Sequence, residues 1–550
     1  MAERNRVWAV AVLAAAAVLF GVRLGDRAVV SEEVRWAEVA REMRATGDYL
    51  HPTLNDHTYY DKPVGSYWLI VAASHLTGEV DETAARLPAA VAGWTGVLLV
   101  MLLGRRLYDP PTGVLAGAVL ATAWGFAFYS RRATADAETV TGVLAAVYLY
   151  AVNRDRPAAP WVVGLWLLMA ATSLTKGLLG FALPGVVLAV HGTWAGLADA
   201  DGISLQERLV GVVRGNRWLL NRWTLVAAPV GVMAYLLPFV LSVWHTGATD
   251  GLAMVWRENV RRFVNPHNHA GPVYLYLGVI WVLAAPWAVF LPAAVVPPPR
   301  PARTDGDRLA RALFWAVFVF FTLSASRRSY YLLPVLPGVA LLVARTLAAP
   351  AESLRPVART LRAVGWVAFG AAVIGAGAVL VPPAWLSGPY SRLPELPALW
   401  MFAAGWLVGL VALGWAVRSQ RRLPGVATAV VAAGLGYTFG VALPAADGLR
   451  TRKAFTAEVR QLTAPDPDRL AVYHARDAVF DLGRLAPDYP TSDALADAVR
   501  TGRVRWVLAR RRYAEAAHLP ARVAAAEPVQ PWEGADQAAD KLVLLDAAGP

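Results

Sequence analysis

Residues 87–104 read LPAAVAGWTGVLLVMLLG, and Arg105-Arg106 follow at once. An uncharged run of this length, wound as a helix, crosses the roughly 30 Å of hydrocarbon in a bilayer. Similar runs recur on both sides of it as far as residue 443. They lie near 7–24, 87–104, 112–129, 138–152, 160–174, 178–195, 223–243, 273–295, 310–325, 331–348, 363–382, 396–416 and 424–443, about 13 in all. The expected fold class is an all-α polytopic membrane domain. With the N-terminus inside, the even-numbered runs lead into Arg105-Arg106, Arg154 and Arg156, the arginines of 208–222, 300–311 and 355–362, and Arg418, Arg421 and Arg422. Agreement over all these loops fixes the orientation by the positive-inside rule, with every such loop in the cytoplasm. Arg4 and Arg6 before the apolar stretch 7–22 resemble the start of a signal peptide. No small-x-small cleavage site follows, so this stretch is read as an uncleaved first span.

The composition agrees. The chain is 57% hydrophobic and 17% charged, with 22 Trp and no Cys. In a soluble protein the net charge of +12 would suggest nucleic acid, but the arginines cluster in loops between spans and topology accounts for them. The absence of Cys excludes disulfides, thiolate zinc sites and a Cys nucleophile.

The orientation sends loops 25–86, 130–137, 244–272 and 326–330 outside, and makes the proline-rich linker 297–304 a stiff cytoplasmic connection. The membrane domain covers 1–445. Beyond it, 446–550 turns charged and polar. A helix over 452–462, an apolar run at Leu470–Tyr473, a helix near 492–500 and apolar runs at 504–508 and 542–545 indicate a small α/β domain outside the membrane.

Only four of the 52 Lys and Arg residues are Lys, and two of those sit in short polar strings beside apolar runs: Tyr59-Tyr60-Asp61-Lys62-Pro63 and Leu174-Thr175-Lys176-Gly177. An ammonium is a compact point charge suited to phosphate. Together on one membrane face, these lysines suggest a site for a lipid-borne phosphate; singly, each also reads as an interface lysine snorkelling from a helix end. In the first outer loop, 31–43 has Val34, Ala37, Ala40 and Met43 on one helical face. Ser31 is placed to cap that helix, Glu32 and Glu33 to complement its dipole, and Trp36 to dip into the interface. A catalytic reading of the two carboxylates needs a second acid on the same face. Arg131-Arg132-Ala133-Thr134-Ala135-Asp136 supplies one, with Asp136 expected to stay ionised beside the arginines. In the third loop, His267 and His269 can ligate a metal with an acid from another loop, although loop histidines are more often simply solvated. Ser326-Arg327-Arg328-Ser329-Tyr330-Tyr331 brings cations and phenols to the same interface, where the aromatic belt alone also places Tyr.

At these residues the chain resembles the polyprenyl-phosphate-dependent glycosyltransferases of the GT-C superfamily. Within them it is most similar to the bacterial aminoarabinose transferases, relatives of the protein O-mannosyltransferases. The resemblance covers roughly 1–345 and rests on an ordered set of motifs: Glu32-Glu33-Val34-Arg35-Trp36-Ala37-Glu38, Tyr59-Tyr60-Asp61-Lys62-Pro63, Ala84-Ala85-Arg86-Leu87-Pro88, Thr134-Ala135-Asp136, Leu174-Thr175-Lys176-Gly177, Arg262-Phe263 with His267, and Ser329-Tyr330-Tyr331-Leu332-Leu333-Pro334. It implies about 13 spans with an external C-terminal domain. It implies catalytic acids at Glu32 or Glu33 (where the family usually has Asp-Glu) and at Asp136. Lys62, Lys176 and Arg35, with Tyr59, Tyr330 and Arg131, are implied to hold the donor phosphate. A divalent metal between Asp61, where the family has Glu, and His267 is implied as an optional cofactor, none being strictly required.

The expected activity is glycosyl transfer on the outer face of a bacterial inner membrane, from a polyprenyl-phosphate sugar to lipid A, another glycan or protein, with inversion and no nucleic-acid partner. The competing class is a transporter or flippase of lipid-linked sugars, for which mid-membrane charges and inverted repeats are the usual marks. A scaffold carrying the external domain is a third reading, and leaves the two lysines unexplained.

Overall fold

In lipid, every backbone polar group must be satisfied within the protein, so long apolar runs fold as helices. The computed structural model describes residues 2–157, 160–198, 204–261, 271–295, 304–349, 423–447, 452–517, 519–530 and 533–547, with a few positions between 405 and 412. The expected span at 363–382, nearly all of that at 396–416, the linker 297–304 apart from its last residue, and Arg262, Phe263, His267 and His269 lie outside them. From the N-terminus run α1 (Ala2–Gly21), α2 (Glu32–Thr46), α3 (Gly65–Thr77), α4 (Glu82–Leu107), α5 (Pro110–Thr122), α6 (Trp124–Tyr129), α7 (Asp136–Asn153), α8 (Trp161–Lys176), α9 (Leu179–Ala198), α10 (Leu205–Gly215) and α11 (Thr224–Thr246). Among the described residues, six helices are single, long and apolar enough to cross a membrane, and the bent pair described next makes up to seven. The chain is a multi-pass membrane protein.

Two expected spans are broken. The segment 273–295 divides into Leu275–Leu283 and Trp287–Val295, bent by 116°, where Pro286 supplies no backbone N–H. The segment 112–129 divides at Ala123, which is extended, into α5 and α6. The two breaks meet. Trp124 N–H donates to Ala285 O at 2.8 Å, and the Trp287 indole donates to Thr122 Oγ1 at 3.0 Å. Each break thus satisfies polar groups that the other frees, and the chain leaving α6 is aimed at the turn before α7.

The first outer loop is a small layer of its own. A two-stranded hairpin, β1 (Thr53–Leu54) with β2 (His57–Thr58), joins α2 to α3, an apolar helix missed in the sequence. Val34, Ala37, Ala40 and Met43 are buried as expected. Trp36 is not an interface anchor: it is 7% exposed and packs on Tyr67, ring centroids 4.9 Å apart. Ser31 makes no capping bond. Its φ is +56°, and Glu33 Oε2 instead accepts from Val30 N–H at 3.4 Å.

At the C-terminal end, strands β3 (Leu470–Tyr473), β4 (Trp506–Arg510), β5 (Arg522–Ala526) and β6 (Leu542–Asp546) form one sheet in the order β3-β4-β6-β5. The first pair is parallel and the others antiparallel. Phe455, Val459 and Leu482 cover one face and Leu495 and Ala498 the other. This unit sits on the first outer loop. The Asn55 side chain exchanges hydrogen bonds with Ala486 O and N at 2.8 and 3.1 Å, and Lys453 pairs with Glu82 at 2.5 Å.

Candidate active site

Five segments meet at one end of the helices. The N-terminus of α2 brings Glu32, Arg35 and Trp36, and the segment before α3 brings Tyr59, Asp61 and Lys62. The turn into α7 brings Thr134, the end of α8 brings Lys176, and the 3-10 turn before and within Ser329–Val335 brings Arg328, Tyr330 and Tyr331. They line a cavity of about 130 Å³. Glycine makes the closure possible. A Cβ on Gly65 would lie 2.7 Å from Leu174 O, so only glycine lets α3 start against the end of α8 and set Lys62 near Lys176. Gly177, with φ +95°, ends α8 directly after Lys176 in a conformation that side chains rarely take.

The site is a set of cation–carboxylate pairs. Lys176 bonds to Asp136, both nearly buried at 11% and 6% exposure, and its ammonium lies 4.7 Å from the centre of the Tyr330 ring and 6.0 Å from that of Tyr331. Arg328 pairs with Glu32 and donates to the Tyr330 hydroxyl at 2.8 Å; that hydroxyl lies 3.4 Å from both Glu32 oxygens. Arg35 donates to Tyr59 OH at 3.2 Å and lies 4.0 Å from Asp61. Lys62 donates to Asp61 O at 2.8 Å and lies 3.9 Å from Glu258. Burial works against ionisation of Glu32, but Arg328, then Arg35 and Lys176, outweigh it and hold the carboxyl below its ordinary range. Burial pushes the Tyr59 phenol up, so it stays a neutral donor.

Of the expected residues, Glu32, Lys62, Lys176, Arg35, Tyr59, Tyr330 and Asp61 line the cavity, with Asp136 directly behind Lys176. Two expectations are corrected. Glu33 is buried on the other side of α2, 2.9 Å from Arg86 and 3.7 Å from Arg132, and accepts from Ala133 N–H at 3.1 Å. It ties α2 to α4 and to the turn before α7, away from the cavity that Glu32 lines. Arg131 does not reach the cavity. It donates to Leu19 O and Val22 O at 2.7 and 2.6 Å, closing the end of α1, and stacks 4.8 Å from the Phe439 ring. The cation that meets Asp136 is Lys176, not the arginine pair.

Arg328, Tyr331 and Thr134 were not singled out from sequence. Arg327 and Arg328 look equivalent there, but Arg327 is spent on Gly271 O and Thr322 O at 2.6 and 3.0 Å. For the metal, Asp61 lies 4.0 Å from Arg35 and 3.9 Å from Arg257. A carboxylate between two guanidinium groups is a poor cation ligand, and the described residues hold no cluster of three or more His, Asp or Glu side chains placed for a metal. His267 lies outside the described residues. The described residues therefore hold only the Asp61 half of the implied pair, and no chemistry is derived through a metal.

A family model described as dolichyl-phosphate-mannose-protein mannosyltransferase matches residues 61–198, the stretch that holds Lys62, Asp136 and Lys176. The crystal structure of ArnT from Cupriavidus metallidurans bound to undecaprenyl phosphate superposes with a TM-score of 0.73 over 99% of both chains, at 24% identity. The fold is that of this ArnT. Among curated relatives, an undecaprenyl phosphate-alpha-4-amino-4-deoxy-L-arabinose arabinosyl transferase of Pseudomonas aeruginosa (strain UCBPP-PA14) is 28% identical over 74% of this chain and 71% of its own length. A transferase of the same description from Pseudomonas fluorescens (strain Pf0-1) is 27% identical over 58% of this chain. The chain spans about half the length of that relative, 53%. The resemblance to polyprenyl-phosphate-dependent GT-C enzymes drawn from the motifs thus holds in sequence and in fold.

Proposed function

We propose that the chain is a glycosyltransferase of the bacterial inner membrane that moves a sugar from a polyprenyl-phosphate donor to an extracytoplasmic acceptor, whether lipid A, another glycan or protein. In this reading about 13 spans carry the site and the 446–550 domain on the outer face. The observation that carries it is the meeting of Arg35, Lys62, Lys176 and Arg328 with Glu32 around one cavity. Four cations around so small a space suit a phosphate group. Their place at helix ends, not mid-span, favours chemistry over carriage by a transporter.

The donor phosphodiester carries one negative charge, and the lipid monophosphate that departs carries a second. The four cations stabilise that added charge most in the transition state. The acceptor oxygen forms its bond to the anomeric carbon as the bond from that carbon to the phosphate oxygen breaks, and the electron pair leaves with the phosphate. Glu32 accepts the acceptor's proton, and Asp136 positions Lys176. A single displacement inverts the anomeric carbon, through an oxocarbenium-like transition state as in glycosidases. The test is release of undecaprenyl phosphate by the purified full chain from a panel of polyprenyl-phosphate sugars, starting with the 4-amino-4-deoxy-L-arabinose donor named for the relatives. If no sugar in the panel supports release with any acceptor, the proposal fails.

A further inference from the structure

A second, larger cavity of about 580 Å³ lies at the other end of the bundle. The helix α7 starts at Asp136 in the candidate active site and ends at Asn153, beside Arg154 of this cavity. Its 18 residues span about 27 Å at ~1.5 Å per residue. The two cavities therefore face opposite sides of the membrane.

Its floor is closed and internally balanced. His191, fully buried, meets Tyr150 OH at 3.0 Å, Asp305 at 3.3 Å and Arg154 at 3.2 Å, and Arg154 pairs with Asp305. The other two carboxylates in the wall are also engaged. Asp155 lies 3.1 Å from Arg106, and Glu207 accepts from Ser204 N–H at 2.9 Å in the cap of α10. The cations outnumber these groups. Arg156, Arg214 and Arg217 line the cavity, are exposed and have no carboxylate partner among the described residues; Arg217 donates to Arg154 O, at 3.0 Å from Nε, and Arg156 to Asn153 Oδ1 at 3.4 Å, and these neutral acceptors leave both charges uncompensated. Trp218, also in the wall and 3% exposed, keeps its indole N–H without an acceptor.

Beside these guanidinium groups, α10 presents an apolar stripe. Leu205, Leu209 and Val213 are 74%, 58% and 54% exposed at helical spacing. Such a helix lies along a membrane surface with its apolar side in the acyl region. Its place is fixed, because a Cβ on Gly192 or Gly196 of α9 would fall on the backbone of Gly215 or Gly211 of α10. Guanidinium groups that no carboxylate neutralises, beside a helix with an exposed apolar stripe, suit a ligand with a phosphate head and acyl chains.

We infer that this cavity binds the headgroup of an anionic diacyl phospholipid from the leaflet opposite the candidate active site, with the phosphate on Arg156, Arg214 and Arg217 and the chains along α10. The inference does not depend on the glycosyltransferase reading. The test uses the full chain, delipidated in non-ionic detergent, titrated separately with phosphatidylglycerol, phosphatidylcholine and inorganic phosphate, and read by native mass spectrometry and thermal melting. Phosphatidylglycerol should bind and raise the melting temperature, and the other two should not. R214Q/R217Q should weaken phosphatidylglycerol binding by roughly 30-fold, about fivefold per guanidinium group, and R214K/R217K should keep most of it. R4Q/R6Q, which removes two cations from the N-terminus, should bind as the parent does. If R214Q/R217Q does not fold, the single exposed-site variant R156Q carries the comparison, with a loss of about fivefold. Equal binding of inorganic phosphate would make this a soluble-anion site, and equal phosphatidylglycerol binding by the glutamine variants would remove the lipid from this cavity. Either result overturns the inference.

Discussion

Lys176→Gln separates the two tasks given to one ammonium group. In the folded chain Lys176 neutralises Asp136, and both side chains are nearly buried at 11% and 6% exposure. Taking away one partner of a buried pair strands the other charge, at a cost on the order of 3 kcal/mol. Asp136 Oδ2 already lacks a hydrogen-bond partner, and no second cation is paired with this carboxylate among the described residues. The variant should melt well below the parent and lose about 10²–10³-fold in kcat, as expected when one charge-stabilising donor is removed. Adding Asp136→Asn removes the stranded charge, so the double variant should regain most of the stability and none of the activity. The assay pairs thermal melting in detergent with release of undecaprenyl phosphate. An active double variant would show that Lys176 serves only Asp136, and a single variant as stable as the parent would show that the pair is not desolvated. Either outcome refutes the reasoning.

Four further outcomes are expected. Glu32→Gln should fold and hold the donor but lose about 10²–10⁴-fold in transfer, read from kcat against donor KM. Because Arg328, Arg35 and Lys176 hold the Glu32 carboxyl below its ordinary value of 4.5, its basic form persists down to lower pH; transfer should fail only as pH falls through that lowered value, and Arg328→Gln should move this acid limb upward in a pH–rate profile. Glu33→Gln should reduce melting temperature, by leaving Arg86 buried without its carboxylate, while the folded fraction keeps the parent's donor KM. Asn55→Ala removes both hydrogen bonds to Ala486, at about 1 kcal/mol each, and limited proteolysis should then cut sooner between the last membrane helix and the C-terminal sheet.

Much of the fold was legible because hydrocarbon allows few solutions. A run such as 87–104 has no stable form in lipid except a helix, and helices fill most of the expected spans. What periodicity does not carry is where a span breaks. Ala123 and Pro286 look like ordinary members of apolar runs, and only the bond between Trp124 N–H and Ala285 O shows that the two interruptions were made for each other. The candidate site was legible wherever residue type is itself informative. Lysine is rare here, so Lys62 and Lys176 stood out. Arginine is everywhere, so Arg328 was hidden beside Arg327, and Arg131 and Glu33 drew attention for charges spent on tying α1, α2 and α4 together. Burial separates such residues, and burial depends on which helix lies opposite.

The pairing of charges within the site bears on why a phosphate would enter it. Four isolated cations in so small a space would repel one another and would not survive folding unaided. Each is held by an acid, a phenol or a carbonyl instead: Lys176 by Asp136, Arg328 by Glu32, Arg35 by Tyr59 and Lys62 by the Asp61 backbone carbonyl. An arriving phosphate then exchanges partners and does not have to strip water from bare charges, so most of the desolvation cost belongs to folding. The exchange differs among the four. Asp136 is buried behind Lys176 whereas Glu32 lines the cavity itself; in the proposed reaction Asp136 therefore stays with Lys176, and Glu32 gives Arg328 up to the phosphate. Losing that guanidinium raises the proton affinity of Glu32 at the moment an acceptor hydroxyl must be deprotonated. Donor binding thus prepares the base, and the acid limb should lie at higher pH in kcat, which reports the donor-bound enzyme, than in kcat/KM, which reports the free one. Coincident limbs would show that Arg328 remains on Glu32 throughout the cycle.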